Sequence, residues 1–88
     1  MTDSQALADF AQSRSSEAFT VLVQRYVDLV YSTARRMARD AHLAEDITQA
    51  VFIVLARRAH SINPKYLAGW LVNTSRLAAR EAIRTRKR

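Results

Sequence analysis

One glycine and one proline in 88 residues leave this chain few places to reverse direction. The two are Gly69 and Pro64. Tight turns draw on such residues, because glycine admits left-handed backbone and proline presets φ. A chain this poor in them and rich in Ala, Leu, Arg and Gln is predicted to form a few long helices. The expected fold class is all-α, with three long helices and a short N-terminal one. The length suits one small domain, which buries only about 60–65% of its unfolded-chain surface. The absence of cysteine excludes a disulfide framework and a thiolate metal site. The opening MTDSQALADF lacks the basic-then-apolar pattern of a secretion signal. The longest apolar run, AVFIVLA at residues 50–56, falls far short of the roughly 20 residues that span a bilayer. The expectation is a cytoplasmic protein with no membrane partner.

Local signals divide the chain. Thr2 and Gln5 have the spacing of a capping box, which starts a helix over about residues 3–12 with Leu7, Phe10 and Ala11 on its apolar side. Ser13-Arg14-Ser15-Ser16 interrupts it, and Ser15 or Ser16 can cap the next helix. That helix is predicted over residues 17–39, roughly 35 Å long. Its Phe19, Leu22, Val23, Tyr26, Val30, Ala34 and Met37 recur on one face. Asp40-Ala41-His42 reads as a turn and N-cap. The third helix contains the apolar run, which cannot be a strand here. No Gly or Pro flanks it, and Leu43 and Ile47 extend the pattern backwards at helical spacing. Ile47, Val51 and Leu55, with Val54 or Phe52, supply its core stripe. Asn63 is a good N-cap and Pro64 belongs at the first helical position, so the fourth helix is predicted from 64 to at least 84. Its expected buried stripe is Leu67, Trp70, Leu71, Thr74, Leu77 and Ala78.

Charge is concentrated at the C-terminal end. Residues 76–88 carry six basic side chains and one acid, net +5, out of +6 for the chain. Asn73, Arg76, Arg80, Arg84 and Lys87 recur every three or four residues and form a basic ladder on the fourth helix. Guanidinium groups suit phosphate because the planar fork donates two hydrogen bonds at once. A polyanion partner is expected, nucleic acid before an anionic membrane, because the helix's apolar face is needed for the core. A merely solvated basic face is the alternative. Tyr66 reads equally as a base-stacking ring and as packing, whereas Trp70 reads as core.

Catalysis has no foothold. There is no Gly-rich phosphate loop, and His42 and His60 lie about 27 Å apart along one helix. His42, Glu45 and Asp46 share a turn, but acids at a helix start complement the dipole without any metal. The expectation is no enzyme, no cofactor and no metal. Along the third helix, Asp46, Gln49, Ile53 and Ala56 fall on one line, polar at one end and apolar at the other. Such a mixed line suits a protein partner, and equally an ordinary helix surface.

FTVLVQRYVDLVYSTARR in the second helix, AEDITQAVF in the third and LAGWLVNTSRLAAREAIRTRKR in the fourth together resemble the region 2 domain of bacterial RNA polymerase sigma factors. The likeness is to the sigma-70 family, in its extracytoplasmic-function group, and covers about residues 5–88. It implies a helical domain that docks on the polymerase core through the clamp helices of the largest subunit. Asp46 and Gln49 would stand at the family's D-x-x-Q contact, with Ile53 and Ala56 continuing it. It also implies that the loop of residues 60–65 and the fourth helix hold the melted −10 promoter element, its non-template strand carrying a flipped base. Lys65, Tyr66, Asn73, Arg76, Arg80 and Arg84 are the expected DNA-binding residues. An anti-sigma factor joins the list of implied partners.

Several positions depart from the family pattern. Ala50 stands where an acid is common, Val54 where a basic residue is common, and Ala56 where a large aromatic is common, leaving a groove for another side chain to fill. The familiar W-L-x-R-I-A-R-N reads here Trp70-Leu71-Val72-Asn73-Thr74-Ser75-Arg76-Leu77. Leu77 takes the place of the usual base-reading Asn and is expected on the packed face, so backbone binding carries over and base preference does not. The family's −35-binding domain has no counterpart in these 88 residues, which therefore read as one domain of a longer protein or as an unusual truncated factor. Two rival readings are a stand-alone regulator of duplex DNA and a helical adaptor that binds no DNA. A duplex reader of the helix-turn-helix type would need two short helices and a short turn.

Overall fold

The structure, a computed structural model, describes residues 1–86. Four helices follow one another: α1, Asp3–Ser13; α2, Ser16–Ala38; α3, Ala41–Arg58; and α4, Leu67–Arg86. Two single 3-10 turns, Ala59–Ser61 and Pro64–Tyr66, join α3 to α4. The sequence reading therefore places every helix, but the fourth begins three residues later than expected. Pro64 opens a 3-10 turn instead of the α-helix, and the Asn63 carboxamide accepts the Lys65 amide at 3.0 Å.

The ends are made by side chains where glycine is missing. The capping box forms, the Thr2 amide donating to Gln5 at 2.8 Å and the Gln5 amide to the Thr2 hydroxyl at 3.1 Å. Ser15 caps α2 through Ala18, and Asp40 caps α3 through Leu43. Asp40 also receives Arg86 at 2.7 Å, and these bonds, the Leu43 amide first, hold its carboxyl below the usual range. The α1 and α2 ends use arginine in the left-handed conformation, Arg14 at φ 55° and Arg39 at φ 56°. A side chain there costs roughly 1–2 kcal/mol relative to right-handed backbone. Arg39→Gly should therefore stabilise the domain by about 0.5–1 kcal/mol, after the entropy glycine adds to the unfolded chain. A thermal melt followed by circular dichroism should rise by roughly 3–5 °C. Arg14→Gly should lose stability instead. The Arg14 guanidinium donates to the Ala56 carbonyl at 2.8 Å and lies 4.2 Å from the centre of the Phe10 ring.

α2 is the centre of the packing and touches α1, α3 and α4. Its Ala18, Leu22, Val30, Thr33 and Ala34 are buried. α3 buries Ala44, Ile47, Thr48, Val51, Phe52 and Leu55, so Phe52 and not Val54 completes its core stripe. Phe10, Phe19 and Phe52 form a chain of rings from α1 through α2 to α3, with centroids 4.7 and 6.4 Å apart. Such offset and edge contacts suit the ring quadrupoles. α1 is further clasped to α2 where the Tyr26 hydroxyl and Arg25 both donate to Asp3. That bond holds the Tyr26 proton, raising its pKa above the ordinary value.

α4 is rotated relative to the expectation. Its buried line is Leu67, Leu71, Ser75 and Ala79, spaced every four residues. Trp70, Thr74 and Ala78 are only half-buried, and Leu77 is 54% exposed. The expected place of Leu77 on the packed face is thus wrong. The reason is Ser75, which reads as polar but is fully buried and donates its hydroxyl to the Leu71 carbonyl at 2.6 Å. A self-satisfied serine behaves as a small residue. It lets α4 approach its neighbours along the Ser75–Ala79 side and turns Leu77 outwards.

Candidate functional site

Helix α3 separates two grooves, one along each of its edges. The first lies between α3 and α2, with a volume of about 500 Å³. Gln49, Phe52, Ile53 and Ala56 line it from α3, and Phe19, Val23 and Val27 line it from α2. Three of the four residues on the expected protein-binding line, Gln49, Ile53 and Ala56, therefore meet in one groove. Asp46 stands outside it, exposed on the same side of the helix one turn earlier. Ile53 is 53% exposed, unusual for an isoleucine beside a core. Ala56 lines the groove with its small side chain, and Arg14, the residue that ends α1, donates to the Ala56 carbonyl. Sequence reasoning missed the α2 wall. Phe19 and Val23 sit on the apolar stripe and read as core, yet each is half-buried and faces the groove.

The second groove, about 410 Å³, runs between the end of α3, the connection and α4. Its walls include Val54 and Arg58 from α3, Ile62 and Tyr66 from the connection, and Trp70, Asn73 and Leu77 from α4. Of the expected DNA-binding residues, Tyr66 and Asn73 line it directly. The Tyr66 ring is 62% exposed, and the Lys65 ammonium lies 5.7 Å from its centre. Arg76 and Arg80 are exposed on α4 at helical spacing from Asn73, along the same side. Neither forms an ion pair among the described residues. Arg84 is tied to Glu81 at 2.5 Å, and Lys87 lies outside the described residues. His60 points elsewhere, lining a cleft on the α1 side with Leu7 and Ala59.

Arg58 and Val54 were missed as site residues. Arg58 reads as a cation suited to the end of a helix dipole, and Val54 as an alternative core residue. Their four-residue spacing on the α3 edge opposite Ile53 is the signal that could have found them. Chemically the second groove offers aromatic faces, carboxamides, an apolar wall and the Arg58 guanidinium. It offers no nucleophile with an adjacent base. Among the described residues no group of His, Cys, Asp or Glu gathers to hold a metal, and no helix is long and apolar enough to cross a membrane.

The family model of sigma-70 region 2 matches residues 22–88. The extracytoplasmic-function (ECF) RNA polymerase sigma factor SigE of Mycolicibacterium smegmatis is 40% identical over 50 residues. That match covers 57% of this chain and 20% of the relative, so the likeness concerns a small part of the longer protein. No solved structure matches the chain.

Proposed function

Because the chain belongs to the sigma-70 region 2 family, we propose that it is the part of a transcription initiation factor that docks on RNA polymerase core and holds the melted −10 promoter element. The observation that carries this reading is the division of labour around α3. One edge carries an apolar groove with a polar end, and the other an aromatic groove flanked by arginines. The first suits a helical protein partner, the clamp helices of the largest polymerase subunit. Ile53 enters the interface, Ala56 leaves room for a partner side chain, and Asp46 and Gln49 fix the register by hydrogen bonds.

The second groove takes single-stranded DNA, the non-template strand. Extruding a base costs a few kcal/mol. Stacking on an exposed ring offsets it by about 1–3 kcal/mol per base. Tyr66 is the open ring and Trp70 the half-open one behind it. Arg76 and Arg80 engage phosphates, with Lys65, Asn73 and Arg84 extending the path. The domain performs no covalent chemistry in this reading and lends promoter specificity to the polymerase, in the compartment where the polymerase works. An anti-sigma factor would act by covering one of the two surfaces.

Fluorescence anisotropy with one labelled sequence, presented as single strand and as duplex, tests the DNA half. The single strand should bind more tightly, and a preference for duplex would favour a regulator of duplex DNA instead. Arg76→Ala and Arg80→Ala should each reduce the slope of log affinity against log salt by about 0.7 for every phosphate that is no longer neutralised. A constant slope would take these two residues out of the DNA path.

A further inference from the structure

The exposed Leu77 is the one large apolar side chain within the basic stripe of α4. Asn73 precedes it by one turn, Arg80 and Arg84 follow it at helical spacing, and Arg76 is its neighbour in the chain. It is 54% exposed, contributes little to the core, and faces Val54 across the second groove. Tyr66 and Trp70 stand on the same walls. A strand held by its phosphates along the arginines, with a base against the rings, brings a base edge to Leu77 and Val54. Neither side chain can replace the water that a polar edge would lose, and an unpaired buried donor or acceptor is costly. On the edge that carries the ring's major-groove groups guanine and adenine present two such groups each, cytosine one beside a C–H, and thymine one beside a methyl.

Resting on the single-strand reading above, we propose that Leu77, with Val54 opposite, is a specificity-determining residue that selects thymine through its 5-methyl group. The selection needs no hydrogen bond to the base. One methyl removed from water corresponds to roughly fourfold in affinity. The arginine stripe supplies the sequence-independent attraction, and Leu77 adds the discrimination.

Two pairs of labelled single strands isolate the methyl: oligo(dT) against oligo(dU), and oligo(5-methyl-dC) against oligo(dC), at equal length and salt. Anisotropy titrations of the 88-residue chain should give about fourfold tighter binding for the methylated member of each pair. Because methylation also strengthens stacking on Tyr66 and Trp70, Leu77→Asn and Leu77→Ala are titrated alongside, each checked for native helicity by circular dichroism. Both should bring the ratios close to one. Equal affinities within each pair for the unaltered chain would overturn the proposal while leaving single-strand binding intact. Ratios that persist in both variants would assign the methyl preference to the rings and remove Leu77. Failure of every strand to bind would overturn the proposal together with the reading it rests on.

Discussion

Ser75→Leu should cost about 3 kcal/mol of stability, whereas Leu77→Ser, two residues along the same helix, should change it by no more than about 0.5 kcal/mol. The contrast reverses what hydrophobicity alone dictates. Ser75 is fully buried on the packed line of α4, and a bulkier side chain there must displace the atoms around it. Leu77 already faces water and gives up little. A domain of this size holds roughly 4–13 kcal/mol in total, so the first change removes a large share. Thermal melts should show a fall of roughly 15 °C for Ser75→Leu and a shift of no more than about 3 °C for Leu77→Ser. The opposite ranking would place the buried stripe of α4 where the apolar residues alone suggest.

Ile53→Glu should weaken binding to purified RNA polymerase core by about thirtyfold or more, with no comparable loss of melting temperature. Ile53 is half in water, so a charge there is tolerated by the fold. In a docked complex the same carboxylate would sit desolvated in an apolar groove, and losing a central apolar anchor commonly costs about 2 kcal/mol or more. The double change Asp46→Ala with Gln49→Ala should cost less, about tenfold, because both groups lie at the polar end where water competes. Titration of core polymerase against labelled domain measures both. Unchanged affinity for Ile53→Glu would remove the α2–α3 groove from the docking surface.

The path from sequence to structure was open where a signal is local. Thr2 with Gln5, Ser15, Asp40, and Asn63 before Pro64 are caps whose side chains act within three residues; the first three stand at α-helix starts, and Asn63 opens the 3-10 turn that leads into α4. The core stripe of α3, and that of α2 at Leu22, Val30 and Ala34, were legible because apolar residues repeat at helical spacing, whereas Phe19, Val23, Tyr26 and Met37 of the expected α2 stripe are only half-buried. What escaped the sequence depends on how elements meet. Ser75 satisfies its own hydroxyl, so its burial leaves no trace in a hydrophobic pattern. Phe19 and Val23 cannot be assigned to groove or core until α3 is set beside them. Val54 becomes a groove residue only when α4 sets Leu77 and Trp70 beside it. The same holds for the candidate site: the line through Gln49, Ile53 and Ala56 and the ladder through Asn73 were visible, whereas the opposing walls were not.

The two open edges of α3 and the net charge act in opposite directions on the solubility of the isolated domain. Each edge presents apolar surface, and the net charge of +6 makes like copies repel one another. The two forces differ in range and in their response to salt. Charge repulsion reaches about 10 Å at 0.1 M and only about 3 Å at 1 M, while the drive to bury apolar surface is not screened. The salt that would strip this domain from the proposed polyanion therefore also lowers the barrier between its copies. Its solubility is best protected at the low ionic strengths where the proposed attraction to nucleic acid would be strongest.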